Sequence, residues 1–259
     1  MRGWYFGVKK ILQEAFSISS GDLVVFLGGG GKTGTMNRLA LELMAQEKRV
    51  VYTTTTKIYP PETLSPELHL IGDSKTPLIM DKIIPESGSM VVLGKIINSD
   101  GKIIGLDTDQ INGIMGAAPD LVILVEGDGA NGKPFKAPRA YEPVIPENTT
   151  LVVPVLGVDA LDKPLGDTYF HAWEQISALT GVPCGGRIQG GDVAQVLLHP
   201  KGYKKLVPHT ARWIPFINKV ETPEDEEKAW ELVRTLKEKG VKKVVFGSLR
   251  RDNNPVEVA

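Results

Sequence analysis

The chain has 259 residues, enough for one large α/β domain or a domain with an attached subdomain, and 42% of them are hydrophobic, enough for a sizeable core. With 24% charged residues and 30 Lys and Arg against 31 Asp and Glu, the net charge is −1, which excludes a disordered or fibrous chain and speaks against bulk nucleic-acid binding. Cys184 is the single cysteine, so no internal disulfide can form; no apolar run approaches the roughly 18 to 20 residues needed to cross a bilayer, and the first residues lack the apolar stretch of a signal peptide. A reducing, cytoplasmic setting without membrane attachment is expected.

The helical spacing of Val8, Ile11, Leu12, Ala15 and Phe16 predicts an N-terminal helix, which Ser19-Ser20-Gly21-Asp22 ends. Residues 23–27 read as a buried strand. That strand runs into Gly28-Gly29-Gly30-Gly31-Lys32-Thr33, after which Met36, Leu39, Ala40, Leu43 and Met44 line one face of a helix ending near Lys48. Residues 49–54 form the next strand. Proline and glycine thicken between Tyr59 and Ser89, which predicts irregular loops in a peripheral excursion.

Strands are expected at 90–93 and 102–105, with a short helix at 111–115. Residues 121–125 form the continuous apolar run of a parallel strand covered on both faces, and the run ends in Glu126-Gly127-Asp128. A strand at 151–158, helices near 170–179 and 192–199, and a strand at 213–217 follow. Thr222 as N-cap, Pro223 at the first turn, Asp225 as capping carboxylate and Gly240 as stop define the last helix, and a strand at 241–246 closes the sheet. The alternation predicts a single α/β domain over residues 1–259, with a mainly parallel sheet and the excursion at about 59–89.

Four glycines and Lys-Thr between a strand and a helix are what a phosphate-binding loop requires. Small residues let amides converge on an anion, and the helix N-terminus adds positive charge. Lys32 would then reach the β and γ phosphates and the Thr33 hydroxyl would take Mg²⁺. Phe26 stands where a full Walker A pattern has its first glycine, so only the shorter Gly-x-x-Gly-Lys-Thr form is met. Glu126 and Asp128, two apart on an extended chain, point the same way at a strand end, where either can hold the metal or its waters. Thr53 to Thr56 and Lys57 follow the second strand, and Thr55, Thr56 and Lys57 suit an anionic site, whereas Thr53 and Thr54 are equally well explained as strand residues.

Asn218-Lys219-Val220-Glu221 resembles the Asn-Lys-x-Asp guanine-reading motif of GTPases, with Glu221 in place of the aspartate, so both ATP and GTP stay open. Gly247-Ser248 after the last strand is a weaker base-contacting candidate. The proline-stiffened cationic stretch from Ala130 to Pro143 reads as a lid or acceptor loop, with Lys136 and Arg139 toward a second anion and Glu142 orienting them, or as a solvated connector. His69, His171, His199 and His209 lack metal-ligand spacing.

The ordered set of Val24-Val25-Phe26-Leu27 with its glycine loop, Thr53 to Lys57, Val125 to Ala130, Lys136-Ala137-Pro138, Glu142 to Pro146 and Ile217-Asn218-Lys219 resembles the YqeC family over about Asp22 to Ser248. These are accessory proteins for selenium-dependent molybdenum hydroxylases, also labelled selenium cofactor biosynthesis proteins. The resemblance implies a P-loop NTPase-like three-layer αβα fold. It carries over Gly28 to Thr33, Thr55, Thr56, Lys57, Glu126, Asp128 and Lys136 as site residues. Gly127 stands where the family usually has alanine, and Ala172 where arginine commonly follows the histidine.

The expected function is Mg-nucleotide binding and NTP hydrolysis in maturation of a selenium-dependent molybdenum hydroxylase or its cofactor. Lys32, Asp128 and Lys136 are the catalytic candidates, with Thr33, Glu126 and Asp128 at the metal. A molybdenum hydroxylase or a molybdopterin-type cofactor is the implied partner. The alternatives are a kinase or ligase acting on a small acceptor, since the short loop also resembles that of Mur-type amide ligases, and a non-catalytic nucleotide-dependent chaperone or adaptor.

Overall fold

In the computed structural model the described residues are 11–61, 66–73, 83–205, 207–250 and 256–259. They form two compact units. The described residues of the first fall within Met1–Phe26, Thr33–Gly127 and Val144–Leu151, and those of the second within Leu27–Lys32, Asp128–Pro143 and Val152–Ala259.

The first unit opens with helix α1 (Ile11–Phe16), which buries Leu12, Ala15 and Phe16. Val8, the first residue of the predicted helical stripe, lies outside the described residues. Strand β1 (Leu23–Gly28) is buried at every position, as are β2 (Val50–Thr54), β5 (Met90–Gly94) and β8 (Val122–Glu126). Burial on both faces is why β1, β5 and β8 read as apolar runs rather than as alternation. β8 pairs in parallel with β1 on one side and β2 on the other, bringing Phe26 and Thr54 level with Glu126. β2 pairs in parallel with β5.

Between β2 and β5 the expected loops also contain β4 (Glu67–Leu70), parallel to β5. Its polar first residue and exposed leucines gave no buried-strand pattern. A small antiparallel sheet is made by β3 (Lys57–Ile58), β6 (Ile96–Ile97) and β7 (Ile103–Ile104). Helix α2 (Lys32–Met44) follows β1, and α3 (Thr108–Ala117) precedes β8. α3 is twice the predicted length because Asp107 caps it, its N–H donating to the Gln110 side chain at 3.1 Å.

In the second unit β10 (Leu151–Gly157) pairs in parallel with β13 (Phe216–Asn218), and β13 with β14 (Val245–Gly247). The single strand predicted at 213–217 is two pieces. β12 (Arg212–Trp213) and β13 are separated at Pro215, which has no N–H to give a ladder. β14 does not close the sheet, because β15 (Val256–Val258) pairs antiparallel outside it. Two short parallel strands, β9 (Phe135–Lys136) and β11 (Phe170–His171), place His171 level with Lys136. The helix predicted from Phe170 therefore starts later, as α4 (Trp173–Thr180), after Ala172 at φ +53°. Helices α5 (Gly190–Leu198) and α6 (Pro223–Glu238) complete the unit. Thr222 caps α6 as predicted, accepting from Asp225 N–H at 3.1 Å, and Gly240 turns at φ +87°. The fold class is thus mixed α/β with mostly parallel sheet, of the three-layer αβα kind.

Candidate functional site

The glycine run makes the turn from β1 into α2, and in the second unit that turn is fastened by its neighbours. Gly29 N–H donates to the Val155 carbonyl and Gly30 N–H to the Lys133 carbonyl, both at 2.9 Å. The Asn218 amide donates to the Gly30 carbonyl at 2.8 Å. Gly30 has φ +67°, and a Cβ there would stand 1.9 Å from the Gly157 nitrogen; at Gly31, with φ +116°, it would stand 2.5 Å from Asn218 Nδ2. Glycine is therefore required by the close approach of the chain to itself, apart from any ligand. α2 then begins, with Gly31, Thr33 and Gly34 exposed and Lys32 buried, so the positive end of its dipole faces solvent.

A buried ionic cluster lies behind this turn. The Asp128 carboxylate accepts from Gly28 N–H at 2.9 Å and lies 3.3 Å from Lys32 Nζ through Oδ1. Lys32 also donates to the Gly28 carbonyl. On the other oxygen, Asp128 lies 3.5 Å from Lys136 Nζ, and both of these side chains are 0% exposed. Lys136 donates to Glu142 at 2.6 Å and to the Gly129 carbonyl at 2.7 Å. Two ammoniums and two carboxylates thus offset one another where a lone charge would cost several kcal/mol.

Burial pushes the Glu142 carboxyl upward, but the hydrogen bond and charge of Lys136, with the Arg139 amide, outweigh it and hold the group below its usual range. Tyr203, whose hydroxyl is 3.4 Å from Asp128 and 3.2 Å from the Lys136 carbonyl, is raised well above 10 by burial and by the Asp128 charge, so it stays protonated as a donor. His171 is held below 6.5, first by burial and then by the charges of Lys136 and Arg139.

The first unit, taken by itself, holds a second set of oxygen donors. Thr33 Oγ1 donates to Glu126 Oε2 at 3.3 Å. A hydroxyl and a carboxylate are hard donors of the kind Mg²⁺ takes beside phosphate and water, so the pair fits the ion. Among the described residues no three His, Cys, Asp or Glu side chains gather as a metal cage. Thr53, Thr54 and Thr55 are spent on backbone carbonyls: Thr53 donates to Leu93 at 2.8 Å, Thr54 to Glu126 at 2.7 Å and Thr55 to Val144 at 2.9 Å. Thr56 Oγ1 is 3.0 Å from Thr54 Oγ1, and Lys57 is exposed on β3.

At the end of β13 in the second unit, Asn218 is buried against the glycine turn, whereas Lys219, at φ +65°, reaches Asp159 at 2.8 Å. Ser248 donates to Glu221 at 3.0 Å. The weak Gly247-Ser248 signal and the four-residue motif therefore meet at one place. Tyr203 escaped sequence reasoning altogether, since it is 75 residues from Asp128 and carries no local motif.

A mixed α/β protein with a glycine turn, a helix-head lysine and a strand-end carboxylate is the class defined by this geometry. The chain matches the family model described as YqeC protein over residues 24–174, and it belongs to that family. It is 28% identical over 228 residues, 88% of each chain, to a protein of Escherichia coli (strain K12) described as "Uncharacterized protein YqeC". No solved structure matches it.

Proposed function

We propose that this protein binds a Mg-nucleoside triphosphate at the head of α2 and cleaves its terminal phosphate, serving maturation of a selenium-dependent molybdenum hydroxylase or its cofactor. The observation that carries this reading is Lys32 at the first position of α2, 3.3 Å from Asp128 and directly after the glycine turn. A polyphosphate at the first turn of α2 would draw the Lys32 ammonium away from Asp128 onto its oxygens. Thr33 and Glu126 would hold Mg²⁺, which supplies charge neutralisation of the phosphates when bound. The rest is positioning and charge stabilisation by the chain.

Asn218 and Glu221 would face the base, with Ser248 fixing the Glu221 carboxylate and Asn218 tying the base end to the loop carbonyl of Gly30. The link to selenium and molybdenum chemistry is supported by the family resemblance alone. Phosphate release from ATP and GTP with Mg²⁺ tests the reading. Turnover that Glu126→Gln lowers by about tenfold or more supports it. Tight binding without turnover would recast the protein as a nucleotide-dependent adaptor, and turnover only with an added acceptor would make it a transferase.

A further inference from the structure

Asp128 is claimed by two lysines at once. Lys32 stands 3.3 Å from Oδ1 at the head of α2, and Lys136 stands 3.5 Å from Oδ2 behind it. Lys136 is 0% exposed and makes its closest contact, 2.6 Å, with Glu142, whose carboxylate also accepts from Arg139 N–H at 3.1 Å. In this arrangement Lys136 cannot touch a ligand, yet its charge acts on the same carboxylate that holds Lys32.

We propose that Lys136 is a positioning residue that competes with Lys32 for Asp128, with Glu142 holding it back, so that the Lys136–Glu142 pair sets how readily Lys32 is handed to an anion. This rests on the proposed nucleotide reading only for the identity of that anion. The physics gives opposite signs for the two partners. Removing the Glu142 charge leaves Lys136 to neutralise Asp128 more completely, and Lys32 is released. Removing the Lys136 charge leaves Asp128 to Lys32 alone, and Lys32 is held. Tyr203, donating to Asp128, survives both changes. A packing role for the pair would instead move both variants the same way.

The test uses the full chain without nucleotide. The acetylation rate of Lys32 by acetic anhydride at fixed pH is followed by mass spectrometry, in parallel with the affinity for inorganic pyrophosphate. Glu142→Gln is expected to label Lys32 faster and bind pyrophosphate more tightly than the parent, and Lys136→Met to label more slowly and bind more weakly, each by on the order of fivefold or more. Adding Asp128→Asn removes the object of the competition, so Lys136→Met and Glu142→Gln should have no effect in that background.

General loosening of the fold would speed labelling in Lys136→Met and so overturns the proposal, as do equal shifts in both variants. If Lys136→Met does not fold, Glu142→Gln with and without Asp128→Asn carries the test: an effect that persists without the Asp128 charge overturns the proposal. The expected labelling order with no pyrophosphate or ATP binding by the parent would sink the nucleotide reading and leave the lysine competition standing. Binding with a flat labelling order would do the reverse.

Discussion

Gly30→Ala is expected to cost roughly 2–5 kcal/mol of folding stability, the sum of about 1–2 kcal/mol for a left-handed alanine and about 1–3 kcal/mol for overpacking. Both contributions come from the backbone. Gly30 sits at φ +67°, and the new methyl would lie 1.9 Å from the Gly157 nitrogen and 2.4 Å from the Leu156 carbonyl carbon. Neither neighbour is a side chain that can swing aside, and both belong to the end of β10. Gly34→Ala is the matched control, since it lies in α2 with nothing within 4 Å of its would-be Cβ. That change should leave stability unchanged or raise it by up to about 0.5–1 kcal/mol. Urea unfolding followed by circular dichroism measures both. A loss at Gly30 below about 1 kcal/mol, or no larger than at Gly34, would refute the view that the turn is set by the protein's own close approach.

Thr222→Ala removes the hydroxyl that accepts from Asp225 N–H and should lower stability by about 1 kcal/mol, read as a lower urea midpoint, whereas Thr222→Ser should restore most of it. His171 is held below 6.5 in the folded protein, so protonation favours the unfolded chain. Its contribution to stability is complete above 6.5 and is lost as the pH falls below that value and through the lower folded value. Urea midpoints measured from about pH 8 to pH 5 should therefore fall less steeply in His171→Gln. Glu142 has the same sign in a more acidic window, below 4.5, because its folded carboxyl is also held down.

The parts of the fold that could be read from the sequence are those whose pattern is set locally. β1 and β8 are buried on both faces and so announce themselves as apolar runs, and Thr222-Pro223 with Asp225 announces α6 through cap chemistry alone. β9 and β11 are two residues long and exist only through pairing with each other across a long stretch of chain, which no periodicity can carry. The site divides in the same way. Lys32, Thr33, Glu126 and Asp128 stand out because strand ends and a helix start place them. The reach of Tyr203 to Asp128 and to the Lys136 carbonyl and the use of Asn218 to pin Gly30 depend on contacts across 67 to 188 residues of sequence. The hydroxyls of Thr53, Thr54 and Thr55 look available in a list of residue types, yet in the fold they serve backbone carbonyls.

Uptake of nucleotide phosphate at the head of α2 through Lys32 is tested by calorimetric titration of the purified chain with Mg-ATP and Mg-GTP, beside Lys32→Ala. Binding of at least one nucleotide, weakened about ten- to hundredfold in Lys32→Ala, is the predicted result. Failure of both nucleotides to bind at millimolar concentration, or equal affinity with and without the Lys32 ammonium, would contradict it.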